Sequence, residues 1–465
     1  MPALEAVKNR KYILAMAMTA YFLAAYMITS INIALPAIQT DFHVPATVLS
    51  WIGTSYALTS TISLLIFGKL ADIFGRKRLF ITGLVGLIVS SLLVIFVRNV
   101  EMFIVLRCIQ GFFGGMIATL VVAIVTTIFP IGERGKVLGI LVAATNTGRF
   151  VGPFVGGMLV SYFHWKAIFF VTVLVGLVSL ILTLKYLEGE WAPAAGEKMD
   201  VPGSIIYALA LIMLIYGVTS LPAYHGIVLC LLGVIGVFVF YKHQKRVTQP
   251  LLDVSIFRNN RILVFSNIST IINFAGVSAV IFLISLYLQY IKGLPAQIAG
   301  LIILVPPAVQ VFFSTLSGKL SDRYKPGMVA TSGMAVSALG VFSLVFLGPQ
   351  TPIIVVMIGL IFMGVGVALF GPPNMNAIMS SVEQQHYGTA SALVATTREF
   401  GSTWSMALAT MVISFNLGDS LITPATYSLF LKSSRTVFIM CTIMLSAGII
   451  LSSLRIEPAR KPACQ

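Results

Sequence analysis

The sequence predicts an all-α integral membrane protein that crosses the bilayer fourteen times. Of the 465 residues, 58% are hydrophobic and only 10% are charged, whereas a soluble domain carries about 25% charged residues. Apolar runs of about 20 residues, the length that spans a bilayer, recur along the whole chain. Strand-like alternation is absent, and a backbone that faces lipid must satisfy its own hydrogen bonds, so the spans are predicted to be helices.

The predicted helices form groups of six, two and six. The first group occupies residues 12–36, 49–71, 79–97, 102–128, 137–162 and 166–187. A polar connector, EGEWAPAAGEKMDVPG, precedes two further runs near 203–221 and 226–241. The last group occupies residues 262–289, 297–320, 328–348, 352–376, 388–415 and 433–454. We therefore expect an N-terminal bundle in residues 1–187, a connector with two inserted helices in 188–258, and a C-terminal bundle with a short tail in 259–465.

A glycine-rich, basic segment joins the second and third predicted helices, and a weaker copy occurs in the second half of the chain. Residues 68–78 read GKLADIFGRKR, and residues 318–327 read GKLSDRYKPG. A signature that occurs twice in one hydrophobic chain indicates two related halves. Its glycines permit a sharp turn, and its aspartate can accept hydrogen bonds from a helix N-terminus or pair with an arginine. The residues of interest here are Gly68, Asp72, Gly75, Arg76 and Asp322.

The distribution of basic residues predicts the orientation of the helices. An even number of spans places both termini on one side of the membrane. Of the 30 lysine and arginine residues, only five fall in loops on the opposite side, and three lie within apolar runs. Because cytoplasmic loops carry an excess of Lys and Arg, we expect both termini in the cytoplasm and the protein in the cell membrane. This topology also accounts for the net charge of +15 without nucleic acid as a partner.

The fifth predicted helix contains the glycine-rich stretch GRFVGPFVGG. Its glycines recur every four residues and therefore share one helix face, which permits close approach of another backbone. The proline removes one backbone donor and can bend the helix. A tight packing face with no further role would account for the same pattern. The residues of this motif are Gly148, Gly152, Pro153, Gly156 and Gly157.

These motifs resemble those of the major facilitator superfamily. The resemblance includes the 68–78 segment, the fourth-helix stretch VLRCIQGFFGG, and the later stretches GVGVALFGPPNMNAIMSSV and GTASALVATTREFGSTW. The glycine pattern of the fifth helix is similar to the motif typical of the antiporter branch. The whole chain resembles the fourteen-helix drug:proton antiporters, which include multidrug and tetracycline exporters.

The resemblance implies the major facilitator fold, with two six-helix bundles whose central site opens alternately to each side. It implies that the 68–78 segment acts as a cytoplasmic latch, which forms in the outward-facing state and is released in the inward-facing state. It also implies that the fifth helix packs the bundle interface and limits leak.

The first predicted helix departs from the pattern of many relatives that export cationic drugs. Those proteins carry an acidic residue a few positions before the ALP turn. Here the stretch reads AAYMITSINIALP, and Met27 stands at about that position. This difference weakens the prediction of a cationic multidrug substrate.

The thirteenth predicted helix carries the only carboxylate that is clearly deep within a span. Glu399 lies beside Arg398 and about ten residues into the apolar run, which at 1.5 Å per residue is near the midplane. A carboxylate at this depth can bind and release a proton, so Glu399 is a candidate proton-coupling residue. A structural Arg–Glu cluster that locks two helices is the alternative interpretation.

Arginines within apolar runs predict the charge preference of the site. Arg107, Arg149 and Arg398 against Glu399 leave about two net positive charges at membrane depth. If these side chains line a cavity, they favour an anionic or zwitterionic substrate. Several uncharged polar side chains within spans either line the cavity or hydrogen-bond between helices. The candidates are Tyr26, Asn32, Asn273 and Asn374.

The leading functional hypothesis is proton-coupled efflux of a hydrophobic or amphipathic compound. A facilitator, or a lipid or organic-anion transporter, is the alternative that the missing first-helix acid leaves open. A non-transporting membrane sensor is a third, which would need only the fold. No P-loop, enzyme signature or metal-ligand spacing occurs in the sequence. We therefore expect no enzymatic activity and no cofactor; the expected partners are a small-molecule substrate, protons and the bilayer, with the chain as a monomer.

Overall fold

The computed structural model of the chain describes residues 9–258, 260–383, 387–418 and 420–455. Within these ranges the regular structure is helical, without strands, and fourteen long helices follow one another along the chain. The first six are α1 (Arg10–Phe42), α2 (Ala46–Phe74), α3 (Arg76–Leu93), α4 (Val100–Ile128), α5 (Ile131–Tyr162) and α6 (Ala167–Tyr186). The inserted pair is α7 (Val201–Thr219) and α8 (Tyr224–Gln244).

The last six helices begin with α9 (Arg261–Leu286), which continues as a short π-helical turn. The others are α10 (Ala296–Ile303, continued by Val305–Arg323), α11 (Pro326–Leu344), α12 (Ile353–Ser380), α13 (Tyr387–Leu417) and α14 (Tyr427–Ser453). Thirteen helices in the described ranges are long and apolar enough to cross a membrane. The fourteenth, α13, is the helix that carries Arg398 and Glu399. The prediction of an all-α, fourteen-helix, multi-pass membrane protein is therefore confirmed.

Several helices extend beyond the apolar runs that predicted them. Helix α1 continues through Pro36 to Phe42, so it ends six residues after the predicted bound at 36. Helix α5 begins at Ile131 rather than at 137, and α14 at Tyr427 rather than at 433. An apolar run marks the part of a helix that contacts lipid, whereas the i→i−4 hydrogen bonds continue into polar sequence at the membrane edge.

Contacts group the described residues into two compact units. The first unit lies within Met1–Asp253, Ile281–Leu304 and Met406–Ser433, and the second within Val254–Val280, Val305–Ser405 and Ser434–Gln465. The inserted pair α7–α8 therefore belongs to the first unit. The part of the predicted C-terminal tail after residue 455 lies outside the described residues, as do three of the basic residues counted above for the orientation: Lys8, Arg460 and Lys461.

The first unit contains an aromatic cluster where α1, α4 and α6 meet. Trp165 is 2% exposed, packs against Phe103 and Phe169, and donates its indole N–H to Asp41 Oδ2 at 2.9 Å. Buried aromatic side chains of this size make large hydrophobic contributions, and the indole N–H has the partner that burial requires. Helix α1 also packs along α5, and α2 along α4.

The second unit is built on close packing of α11 against α12. A Cβ added at Gly340 would lie 2.6 Å from Met363 N, and one at Gly333 would lie 2.6 Å from Phe370 N. These glycines let the two backbones approach closely, as small residues do in membrane helix pairs. A separate apolar cluster of Leu263, Ile378, Ala390 and Leu393 joins α9, α12 and α13.

Candidate functional site

Helix α13 places a charged pair near its middle, in the second unit. Arg398 Nη2 lies 3.4 Å from Glu399 Oε1, and the two side chains are 35% and 15% exposed. The Nε of Arg398 is buried without a hydrogen-bond partner in the described structure. Glu399 is the only acidic residue in a described helix that lies more than one turn from a helix end. Among the described residues there is therefore one ionisable carboxylate at membrane depth, and its arginine contact is of marginal length.

Polar side chains of α9 surround this part of α13 and the facing part of α12. Thr397, next to Arg398, donates to Asn267 Oδ1 at 3.2 Å. Asn374 Nδ2 donates to Thr270 Oγ1 at 2.9 Å, while its Oδ1 is buried without a partner among the described residues. The result is a polar seam inside the second unit that begins one residue from the charged pair.

Asn273 lies one turn beyond Thr270 on α9 and is fully buried. Both its Oδ1 and its Nδ2 lack a hydrogen-bond partner in the described part of the chain. Leaving a buried amide unpaired costs about 1–3 kcal/mol. Water or a polar ligand atom would satisfy it, so Asn273 and Asn374 are the buried, sequence-predicted amides with unused hydrogen-bonding capacity among the described residues.

Arg107 is fully buried in the first unit, where α4 packs against α2. Its Nε donates to Ile52 O at 3.2 Å, its Nη1 donates to Gln110 Oε1 at 3.0 Å, and its guanidinium carbon lies 4.4 Å from the centre of the Tyr56 ring. No carboxylate pairs with it among the described residues. The cation is therefore held by a carbonyl, an amide and an aromatic face.

The other predicted polar residues of the first unit have varied surroundings. Tyr26 is buried, and its hydroxyl donates to Ile168 O of α6 at 3.5 Å. Asn32 is half-buried, and its backbone carbonyl accepts from Ser285 Oγ at 2.7 Å. Arg149 is half-buried on α5, beside Gly148. Arg107 and Arg149 thus belong to the first unit, and the Arg398–Glu399 pair belongs to the second.

The glycine motif of α5 contacts two helices. A Cβ at Gly148 or Gly152 would collide with Phe22 O or Thr29 Oγ1 of α1, and one at Gly156 would lie 3.1 Å from Ser30 Cβ. On the other face of α5, a Cβ at Gly157 would lie 2.6 Å from Ala296 O of α10. These contacts show why the motif requires small residues.

The Pro153 carbonyl of the same motif takes part in this packing. It would contact a Cβ placed at Gly300, one turn beyond Ala296 on α10. The motif therefore joins α1, α5 and the first segment of α10 inside the first unit.

The 68–78 segment forms the end of α2, a turn at Gly75 and the start of α3. Asp72 Oδ1 accepts from Arg76 Nη2 at 2.7 Å and from Nε at 3.0 Å. Arg76 Nη1 also donates to Ala123 O of α4 at 2.8 Å and contacts Thr127 Oγ1. One arginine thus joins the ends of three helices.

The two glycines of this segment differ in their surroundings. Gly75 has φ +109°, a conformation that residues with a Cβ rarely adopt. A Cβ at Gly68 would lie 3.4 Å from Thr119 Cγ2, an ordinary contact. In the second copy of the signature, the Asp322 side chain lies outside the described residues.

Comparison with known proteins identifies the family. A family model described as Major Facilitator Superfamily matches residues 17–406. The chain belongs to the major facilitator superfamily. It is a transporter by family and not an enzyme.

Curated relatives of this transporter carry organic compounds. The riboflavin transporter RibZ of Clostridioides difficile is 26% identical over 415 residues, which cover 89% of this chain and 88% of RibZ. The tetracenomycin C resistance and export protein of Streptomyces glaucescens is 26% identical over 396 residues, which cover 84% of this chain and 73% of that protein. Among solved structures, a peptide transporter POT in complex with sulfate has a TM-score of 0.69 at 15% identity, covering 96% of this chain and 95% of that one. That likeness supports the fold alone.

Sequence reasoning missed some of the groups that hold the transporter's charged residues. Gln110 follows Arg107 by one helical turn, a spacing that places both on one face and could have indicated the contact. The partners that Thr270 and Tyr56 provide come from other helices and depend on packing. Among the described residues, no group of three or more His, Cys, Asp or Glu side chains could hold a metal ion.

Proposed function

We propose that this transporter exports a hydrophobic or amphipathic organic compound in exchange for protons, by alternating access, across the cell membrane with both termini in the cytoplasm. The observation that carries the proposal is Glu399, a 15% exposed carboxylate in the middle of α13. An ionisable residue at membrane depth is costly and usually marks an ion or substrate pathway. Its arginine neighbour contacts it through one atom pair at 3.4 Å, so the two side chains do not form the close bidentate pair expected of a structural lock.

The polar seam next to Glu399 supports a pathway for protons or substrate. Thr397 and Asn267 are already paired, whereas the Asn374 carbonyl and the whole Asn273 amide have unused capacity. Water molecules at these groups would connect the charged pair to the interior of the second unit. In this proposal, Glu399 takes up a proton as the substrate leaves and returns it to the cytoplasm in the inward-facing state.

Relatives support the direction of transport and the class of substrate. One is described as a resistance and export protein for tetracenomycin C, and others as multidrug resistance proteins. Arg149 and Arg398, which are both partly exposed at membrane depth, favour a compound with a negative or zwitterionic polar group on an apolar body. We expect the monomer to be the transporting species.

A facilitator, or a lipid or organic-anion transporter, is the second candidate. The interior of α1 carries no carboxylate, and Met27 stands there with 2% exposure. The riboflavin transporter among the relatives shows that related chains carry organic molecules other than cationic drugs. In this alternative, Glu399 serves only to neutralise Arg398.

The proposal is tested in proteoliposomes that contain a pH-sensitive dye. Tetracenomycin C and riboflavin are added under an imposed proton gradient, and both substrate movement and internal pH are followed. Substrate-evoked proton flux is expected for the wild type and is expected to fall to background in Glu399→Gln. Glu101→Gln is the matched control, because Glu101 is exposed in the first turn of α4.

Three results would contradict the proposal. Substrate movement without proton flux, unchanged by Glu399→Gln, would establish the facilitator. Preferential efflux of lipophilic cations, tested as a third class of compound, would overturn the charge preference. Binding of substrate without any flux would favour the sensor.

A further inference from the structure

The inserted pair α7–α8 is attached to the first unit along one side of α2. The Trp51 and Tyr216 rings are 5.8 Å apart at one end of α2, and the Tyr207 hydroxyl donates to Thr61 O at 3.3 Å in the middle. The N-terminus of α7 follows directly from the connector. The pair is therefore fixed to the helix that ends in the 68–78 segment.

The connector crosses that segment and contacts the N-terminus of α3. We call residues 190–197 the connector strap. Glu190 Oε1 accepts from Lys77 N at 2.8 Å, Glu190 Oε2 accepts from Arg78 N at 3.0 Å, and Trp191 O accepts from Arg76 N at 3.0 Å. The first N–H groups of a helix have no partner within the helix, and a carboxylate there also interacts favourably with the helix dipole. The strap thus satisfies the first three N–H groups of α3.

The strap also holds the end of α2. Ala194 N donates to Asp72 O at 2.8 Å, and Lys69 Nζ pairs with Glu197 Oε2 at 2.5 Å. Gly75 lies between these two sets of contacts, and a Cβ on it would lie 2.5 Å from Glu190 Cδ. The turn requires glycine at this position, and a side chain there would also displace the Glu190 carboxylate from its place.

Three residues after the strap, the connector is anchored to the inserted pair. Asp200 is the N-cap of α7 and accepts from Gly203 N at 2.9 Å, from Gln244 Nε2 at 2.7 Å and from His243 Nε2 at 2.9 Å. Burial raises the pKa of the Asp200 carboxyl, but these hydrogen bonds outweigh burial and the pKa lies below its ordinary value. Helices α7 and α8 are therefore joined to each other where α7 begins, shortly after the strap.

We infer that the strap and the inserted pair form a clamp that holds the Asp72–Arg76 pair in position during transport, with Glu190 as the positioning residue. Glu190 and Trp191 fix the backbone of α3 at its first residues, and this fixes where the Arg76 guanidinium can reach. Glu190 itself does not touch Asp72 or the Arg76 side chain; it acts through the backbone of α3. The inference rests on the proposed function for the transport step and gives the inserted pair a role of its own.

The test combines amide hydrogen exchange with substrate flux in the full-length protein. In Glu190→Ala, exchange of the Lys77 and Arg78 amides should be about tenfold faster, the equivalent of one lost charge-assisted hydrogen bond. The maximal rate of substrate movement should fall about fivefold, as for a residue that controls a conformational step. Glu190→Gln keeps one acceptor oxygen and should give intermediate values for both. Glu188→Ala is the matched control: Glu188 is exposed, two residues away, and makes no described contact with α3.

The outcomes separate the clamp from a simple structural cap and from the proposed function. Faster exchange with unchanged flux would show that Glu190 caps the helix without positioning the latch, and unchanged exchange would show that the strap does not hold α3; either result overturns the inference. If the wild type moves substrate without moving protons, the coupling proposal fails. The clamp is still tested in that case, by the ratio of the substrate flux of Glu190→Ala to that of the wild type. If the wild type shows no flux with either compound, amide hydrogen exchange across residues 72–80 tests the clamp. The clamp requires the amides of Asp72 and Arg76 to exchange faster together in Glu190→Ala.

Discussion

The two copies of the glycine-rich signature have the same spacing but different chemistry. In the first copy, Gly75 makes the turn with φ +109°, and Arg76 opens α3 with an ion pair to Asp72. In the second copy, Lys325 occupies the position of Gly75 with φ −62°, and Pro326 opens α11. We call the turn between α2 and α3 the first joint and the turn between α10 and α11 the second joint. The first joint depends on a backbone conformation that favours glycine, on an ion pair and on the connector strap. The second depends on a proline that is already suited to the first position of a helix.

A second difference lies in the residue before each aspartate. Ser321 accepts from Asn376 Nδ2 of α12 at 2.6 Å, whereas Ala71 at the corresponding place is buried and apolar. The second joint is thus tied to its neighbouring helix by neutral groups. The two copies resemble each other more closely in sequence than in the interactions described above.

The largest difference between the copies should appear on replacing Gly75. Gly75→Ala forces a Cβ into a positive-φ backbone and against Glu190, so we expect it to lower the free energy of unfolding by about 2–3 kcal/mol. Lys325→Ala, at the corresponding exposed position, should change it by less than about 0.5 kcal/mol. Thermal unfolding in detergent measures both. Gly318→Ala is a further control, because a Cβ there would meet no atom within 4 Å. Equal effects of Gly75→Ala and Lys325→Ala would refute the comparison.

Arg76 should be the next most sensitive position. Arg76→Ala removes the pair with Asp72 and the donor to Ala123 O, and we expect a loss of about 1–2 kcal/mol. Arg76→Lys should recover less than half of this, because an ammonium cannot reproduce the fork that reaches both groups. Pro326→Ala, its counterpart, should cost less than about 1 kcal/mol through chain entropy. A full recovery by lysine would show that charge alone, without the fork geometry, holds the first joint.

Removing the neutral tie of the second joint should have a smaller effect. Ser321→Ala leaves the Asn376 amide without its acceptor on α10, and we expect a loss of about 1 kcal/mol in thermal unfolding. The control is Ser380→Ala, since the Ser380 hydroxyl donates only to Ala377 O of its own helix. If both variants unfold alike, the Asn376–Ser321 contact does not stabilise the second unit.

The smallest effect at working pH concerns Asp200, which anchors the strap. Because its pKa in the folded protein lies below the ordinary 3.8, the stability it contributes is present above pH 3.8 and is lost as the pH falls through the lowered value. Exchange of the Gly203 amide should therefore be constant, after correction for intrinsic rates, from pH 8 to pH 5 and should rise below 3.8. Asp200→Asn should abolish that rise. A rise that already begins between pH 8 and pH 5 would contradict the assignment of this anchor to Asp200.

The fold was largely predictable from sequence because membrane helices are set by local composition. Thirteen of the described helices are long and apolar enough to cross a membrane, and the helix of Arg398 and Glu399 was predicted as the run 388–415 although these two charges interrupt it. Helix ends were less predictable, as at Pro36, since hydropathy reports contact with lipid rather than the extent of backbone hydrogen bonding.

The candidate site was only partly predictable. The isolation of Glu399 and the glycine requirement at Gly148 and Gly152 are visible as residue types at a given depth or spacing. The unsatisfied amide of Asn273 is not, because it depends on which side chains from other helices reach it. The connector was the clearest omission. Its acidic residues, such as Glu190 and Glu197, are opposite in charge to the basic 68–78 segment. This charge complementarity could have indicated the contact, but the two stretches are far apart in the sequence.

The separation in sequence between the connector and the segment it contacts affects how the protein folds during synthesis. Glu190 follows Lys77 by 113 residues. At a synthesis rate of about 5–20 residues per second, α3 leaves the ribosome roughly 6–23 seconds before the residue that caps it. During this interval the hairpin of α2 and α3 has an uncapped, positively charged turn, and it is secured only when the connector has been synthesised. The order of translation therefore makes the connector the closing step in the assembly of this corner of the protein.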